Sequence, residues 1–245
     1  MVRAFIAPLG ALLLLAAGGC ATAGPNHVYL ATAASAAVRD LGPPQAEIAG
    51  AVAPGEQVLG LAYDYNTDHL FLRIAPAQVI RVIERPSGKI LREMPLPPEL
   101  QTPAPADLAI RSSDRHLFVV HPDGRSVVEL TLSGAFVRRL EFAGPAGPVN
   151  GLACDQRQAR LLVLTGGTVR FFSYAGRELG SVALHGAVRP VSLGYDSDAQ
   201  HYFVPLADGR TLGEFDAAGN LLAGHPADGT ITAVDAGARS FVRVF

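Results

Sequence analysis

Four histidines draw attention by position: His27, His69, His116 and His201 each open a short apolar run, as in His69-Leu-Phe-Leu and His116-Leu-Phe-Val. Imidazoles at intervals can build a zinc site, but Zn–N distances of about 2.0–2.1 Å require all ligands to converge on one point. Asn150 and Asp107 offer oxygen ligands of the kind a hard cation takes, again only if several converge. Ser192 and Thr232 add hydroxyls, and the two cysteines, Cys20 and Cys154, add thiols. The sequence contains no G-x-S-x-G elbow, no H-E-x-x-H, no phosphate-cradling loop and no C-x-x-C. Whether the scattered groups can act together depends on the elements that hold them.

Those elements repeat. Five segments share an apolar stretch with a polar end, a turn and a second apolar stretch. They are Gly60–Asp64 with His69–Arg73, Asp107–Arg111 with His116–Val120, Gly151–Asp155 with Arg160–Leu164, Ser192–Asp196 with His201–Pro205, and Thr232–Asp235 with Ser240–Phe245. The polar end and the start of the second stretch are always five positions apart. Counted from Asp64, Arg111, Asp155, Asp196 and Asp235, successive units lie 47, 44, 41 and 39 residues apart. Two more strand-like segments follow in each complete unit, joined by turns at Ser87-Gly88, Ser133-Gly134, Ala175-Gly176 and Ala218-Gly219. Four strands per unit and a period in the low forties predict an all-β propeller of four-stranded antiparallel blades. A lone blade cannot cover both faces of its sheet, so blades must stack around an axis.

Four units are complete. The N-terminal segments His27–Leu30, Ala37–Leu41 and Ala46–Val52 match the second to fourth strands of a unit, and Ile231–Phe245 matches the first and second. Joining the two ends would leave no exposed edge strand. This predicts five blades, closed by N- and C-terminal strands, with one surplus second strand; six thin blades is the alternative. The Asp ends and turn residues are expected in water, and the strand-opening histidines are read as solvated turn residues that can bond a nearby Asp end, as His69 could with Asp64.

This blade grammar, over about 27 to 245, resembles the NHL and YVTN class of bacterial propellers and, more distantly, the gluconolactonase-like propellers. The latter resemblance implies a divalent metal in the central channel, held by carboxylates and asparagines. Pro148-Val-Asn150-Gly151 is similar to that family's Asn-Gly motif, which would make Asn150 a ligand. Its counterparts in the other units, Leu59, Ala106, Val191 and Ile231, cannot ligate through their side chains. One position along stand Gly60, Asp107, Gly151, Ser192 and Thr232, with a single carboxylate. One Asn and one Asp do not make a cage, so Asn150, Asp107, Ser192 and Thr232 are read as channel-mouth binding groups, with no metal, no cofactor and no catalytic residue assigned. The histidines, one per blade, fall on a ring too broad to share a metal.

The chain opens with Arg3, an apolar run from Ala4 to Ala17 and Gly18-Gly19-Cys20. Such a run is short for a membrane span and reads as a signal peptide. Ala17-Gly18-Gly19-Cys20 resembles the lipobox of bacterial lipoproteins, with Ala17 in place of the usual Leu. The resemblance implies cleavage before Cys20, lipidation of its thiol, and, with Ala21 rather than Asp next, an outer-membrane destination where the cell has one. The expected organisation is a signal peptide over 1–19, a lipidated tether over 20–26 and the propeller over 27–245. With Cys20 lipidated, Cys154 has no disulfide partner, and within Gly-Leu-Ala-Cys154 it reads as a small core residue.

Twenty Lys and Arg against 22 Asp and Glu give a net charge of −2, which gives no footprint for nucleic acid. Pro95–Pro105, the longest link between units, suits either peptide contact or plain spacing. The functional expectation is a non-enzymatic envelope lipoprotein whose propeller binds or scaffolds an envelope protein or cell-wall component. A channel-centred metal-dependent hydrolase or lactonase is the alternative.

Overall fold

The structure is a computed structural model, described over residues 26–33, 35–103, 106–142 and 147–238. The expected signal peptide, Cys20 and the surplus strand Ser240–Phe245 lie outside the described residues. Strands β1 (Asn26–Thr32), β2 (Val38–Asp40) and β3 (Ala46–Ile48) come first in the chain. Blade 1 follows with β4 (Gln57–Asp64), β5 (His69–Ala75), β6 (Val79–Glu84) and β7 (Ile90–Pro95). Blade 2 contains β8 (Leu108–Arg111), β9 (His116–Val120), β10 (Ser126–Thr131) and β11 (Phe136–Glu141). Blade 3 contains β12 (Gly151–Asp155), β13 (Arg160–Thr165), β14 (Thr168–Ser173) and β15 (Glu178–Ala183). Blade 4 contains β16 (Gly194–Asp196), β17 (His201–Pro205), β18 (Thr211–Phe215) and β19 (Leu221–Pro226).

The last strand, β20 (Ile231–Ala238), pairs antiparallel with β1, Asn26 opposite Ala238 and Leu30 opposite Val234. Blade 5 therefore has the order β20-β1-β2-β3, and five four-stranded antiparallel sheets complete the ring. The innermost strands β4, β8, β12, β16 and β20 touch in succession around the axis. The fold is a five-bladed β-propeller.

Strand periodicity builds the core. Leu70 and Leu72 face blade 5 and join Tyr29, Val38 and Ala233, whereas Phe71 points the other way and joins Leu108, Leu117 and Val119 of blade 2. The same alternation gives five apolar layers, one between each pair of neighbouring blades. Cys154 is part of the layer between blades 2 and 3, beside Phe118 and Phe172.

The constant five-residue spacing has a local cause. Asp68, Arg115, Ala159 and Gln200 each adopt a left-handed conformation immediately before the second strand of their blade. That conformation is unfavourable for most residues with a Cβ, and the Asp at the end of the first strand helps hold the turn. Asp155 Oδ1 accepts from the N–H groups of Arg157 (3.1 Å) and Gln158 (3.0 Å), and Asp196 Oδ1 from Asp198 (2.8 Å) and Ala199 (3.1 Å). The expectation that the Asp ends sit in water is thus corrected: Asp64, Asp155 and Asp196 are buried, their oxygens taken up by N–H groups of their own turns in place of water.

The link from blade 1 to blade 2 is folded down rather than free. Leu96 and Leu100 are buried, a 3-10 turn spans Pro98–Leu100, and the Gln78 side chain bonds both the N–H and the carbonyl of Thr102.

Candidate functional site

The innermost strands of a propeller have an unpaired edge facing the axis, and their N–H groups need acceptors. Asp107, just ahead of β8, serves two of these N–H groups with one oxygen. Its Oδ2 accepts from Leu152 N–H in blade 3 at 3.0 Å and from Leu193 N–H in blade 4 at 2.9 Å. Its Oδ1 has no hydrogen-bond partner among the described residues. Asp235 does the same between blades 5 and 1: Oδ2 accepts from Tyr63 N–H at 2.7 Å, while Oδ1 accepts from Ala236 N–H at 2.8 Å. Ser192 ties blade 4 to blade 5, its Oγ accepting from Val234 N–H at 2.9 Å and standing 3.2 Å from Val234 O.

Such reach across the axis requires the backbones to come close, and small residues permit it. A Cβ on Gly60 would lie 2.6 Å from Ala106 O, and one on Gly151 would lie 2.8 Å from Leu193 N. These positions are glycine because backbone occupies the space a side chain would need.

A buried cation completes the cluster. Arg73 in β5 is fully buried, donating to Leu100 O in the folded-down link and, at 3.3 Å, to Val120 O in blade 2. Burial lowers its pKa to about 10, against the opposing pull of the Asp107 charge. Burial pushes the Asp107 carboxyl up to about 7, although the Leu152, Leu193 and Ser192 donors favour its charged form. Asp235 is pushed well above the ordinary carboxylate range by burial, with the charge of Asp107 adding to the effect.

Of the four residues expected at the channel mouth, the structure brings two together. Asp107 and Ser192 meet near the axis but are completely buried, deeper than a mouth. Thr232 instead donates to Ala31 O in its own blade at 3.3 Å, and Asn150 Oδ1 accepts from Gly166 N–H at 3.3 Å in the turn between β13 and β14. Asn150 and Asp107 thus serve different parts of the fold. Among the described residues no group of three or more His, Cys, Asp or Glu is arranged to hold a metal ion.

The histidines have partners the sequence reading did not name. His27 meets Asp40 (2.6 Å), His116 meets Glu129 (2.6 Å) and His201 meets Glu214 (2.8 Å), in each case a carboxylate of the third strand rather than the Asp end. Among the described residues only blade 3 has its strand-opening residue on the Asp end, through Arg160 Nε to Asp155 at 3.0 Å. The common spacing of thirteen residues in the histidine pairs was a readable signal. Arg73 was signalled too, since Val120, Leu164 and Pro205 occupy its place in the other blades.

No known family model matches this sequence, and no curated protein matches it. Its likeness to known proteins is one of fold. A chain of the crystal structure of a nidogen/laminin complex superposes with a TM-score of 0.62 at 11% identity, covering 86% of this chain and 98% of that one. A glutaminyl cyclase of Myxococcus xanthus gives 0.49 at 15% identity, covering 73% and 69%. A Bacteroides caccae protein of unknown function gives 0.47 at 12%, covering 86% and 98%. At such identities the likeness extends to the architecture and to no site residue.

Proposed function

We propose that the chain is a bacterial envelope lipoprotein, anchored through Cys20, whose NHL-like propeller is a binding or scaffolding module for another envelope protein or a cell-wall component. The observation that carries the non-enzymatic reading is the occupation of Asp107. The one carboxylate at the ring position is buried and already accepts from the inner strands of two other blades. Its Oδ2 goes into closing the ring, and the group lies too deep to meet a ligand at the channel mouth, which leaves the faces and rim of the propeller for contact. Ala21 after the cysteine supports the outer membrane as the site of anchoring.

The test is a thermal melt of residues 26–245 with EDTA and then with Ca²⁺, Mn²⁺ or Zn²⁺. A metal at 1,000 times its Kd would stabilise the native state by about 4 kcal/mol. The expected result is no shift with any of them. A clear rise with one metal would overturn the module reading in favour of a metal-dependent hydrolase. The anchor is tested separately by Cys20→Ser, which should release a folded protein from membranes; retention after a high-salt wash would refute lipidation.

A further inference from the structure

The outermost strand of blades 1 to 4 carries the same irregularity. Ile83 pairs Ile90 and Val82 pairs Arg92, so Leu91 is an extra residue. Leu130 pairs Phe136 and Glu129 pairs Arg138, which leaves Val137 extra. Phe172 with Glu178 and Phe171 with Gly180 leave Leu179, and Phe215 with Leu221 and Glu214 with Ala223 leave Leu222. A bulge re-aims a side chain, and all four bulged residues are apolar and exposed: Leu91 by 40%, Val137 by 39%, Leu179 by 48% and Leu222 by 52%. Phe136 beside Val137 is exposed by 64%. One exposed leucine needs no explanation. Four at one bulge, on edge strands where charged residues ordinarily prevent association, do.

Their place on the molecule follows from the topology. In an antiparallel meander the first-to-second and third-to-fourth turns lie on one face. Each bulge opens the fourth strand, so all four ring the rim of that hairpin face. Strand β1, the second strand of blade 5, starts at Asn26 on the same face. Cys20 precedes Asn26 by six positions, and six extended residues span at most about 20 Å. The outermost strand lies about 14 Å outward of the innermost, so a chain anchored at Cys20 cannot lift this face far from the lipid.

We propose that the hairpin face rests on the bilayer, with Leu91, Val137, Leu179, Leu222 and Phe136 entering the headgroup–acyl boundary. The proposal rests on the Cys20 anchor. Exposed charges on this face are of both signs, Lys89, Arg115 and Arg177 against Asp114, Glu178 and Asp198, so the contact is apolar and does not require anionic lipid. Docked this way, the propeller turns its opposite face, with the link that follows Pro95, toward the periplasmic or outer partner.

The experiment uses the full mature lipidated chain with Cys154→Ala and one added cysteine, Phe136→Cys, Leu222→Cys or, on the opposite face, Ala207→Cys. Each carries an environment-sensitive fluorophore, and the protein is reconstituted into vesicles of phosphatidylcholine alone or with phosphatidylglycerol and a quencher fixed at the acyl boundary. The expected result is blue-shifted, quenched emission at positions 136 and 222 and none at 207, equal in the two lipid compositions. Equal emission at all three positions on vesicle-bound protein would overturn the docking while leaving the anchor intact. Mass spectrometry showing an unlipidated N-terminus would remove the anchor and the docking together. A blue shift already present without vesicles, or shielding lost only on dilution to monomer, would replace lipid with the chain's own ends or a second copy as the occupant.

Discussion

Replacing Asp107 by Asn should remove much of the pH dependence of stability between pH 5 and 8. In the folded chain the carboxyl titrates near 7, against an ordinary value of 3.8. Between those values the folded state holds a proton that the unfolded state has released, so unfolding gives up a proton and stability falls as pH rises. Its contribution is therefore complete below about pH 4 and lost by about pH 7. Three pKa units correspond to about 4 kcal/mol at 1.36 kcal/mol per unit. For a chain of this size that is a change in Tm on the order of 10 °C. Asparagine keeps an oxygen for Leu152 and Leu193 N–H but cannot ionise. Asp107→Asn should therefore exceed the wild type by about 2 kcal/mol at pH 5 and by about 4 kcal/mol at pH 8, in urea unfolding followed by circular dichroism. The residual slope would report Asp235, whose raised pKa acts with the same sign. Asp107→Ala is the control: two buried N–H groups lose their acceptor, at about 1–3 kcal/mol each, and it should be less stable than the Asn variant at every pH. Wild-type and Asp107→Asn curves running parallel from pH 5 to 8 would refute the reasoning, because the titrating group would then lie elsewhere.

Three further outcomes test the same structure. Gly60→Ala and Gly151→Ala put a Cβ 2.6 Å and 2.8 Å from backbone atoms of the next blade; each should lower the urea midpoint by the equivalent of about 1–3 kcal/mol, and an unchanged midpoint would mean that the inner strands stand further apart. Glu129, buried in blade 2, receives Arg111 (2.6 Å), His116 (2.6 Å) and Arg138 (2.5 Å); Glu129→Gln should cost about 3–5 kcal/mol by leaving cations uncompensated, with a loss below 1 kcal/mol counting against this hub. Burial raises the Glu129 pKa, but His116, Arg138 and Arg111 together bring it below the usual 4.5, so its contribution is present above that pH and fades on acidification. Cys154 is buried and burial pushes its thiol far up; in a Cys20→Ser chain Ellman's reagent should detect no thiol until urea unfolds the protein, and rapid reaction in buffer would contradict the interblade placement.

What could be read from the sequence, and what could not, divides along a physical line. The strand–turn–strand spacing was legible because a hairpin closed by a left-handed residue admits one length, and that length recurs in blades 1 to 4, with an Asp acceptor in three of them. The ring closure was legible because the first strand-like segments and the last supply complementary parts of one blade. The positions nearest the axis were legible as well, since Gly60, Asp107, Gly151, Ser192 and Thr232 follow from register alone. Their roles were not. Register says that these residues line up, but whether a side chain reaches across the axis or along its own sheet depends on blade tilt and rotamer. Asp107 reaches Leu152 and Leu193 in two other blades, while Thr232 turns back to Ala31 within its own. Asp235 shows the same limit from the other side. In the pattern it is one more strand-ending Asp, equivalent to Asp64 or Asp155. In the fold β20 continues past it to Ala238 and pairs with the start of the chain, so no local turn claims its oxygens. Freed from that turn, Asp235 bonds Tyr63 in blade 1 and helps hold the closure shut. The departure from the repeat at Asp235 is a consequence of closing the ring with both ends of the chain. It also places Asn26 on the hairpin face, where the bulged apolar residues are.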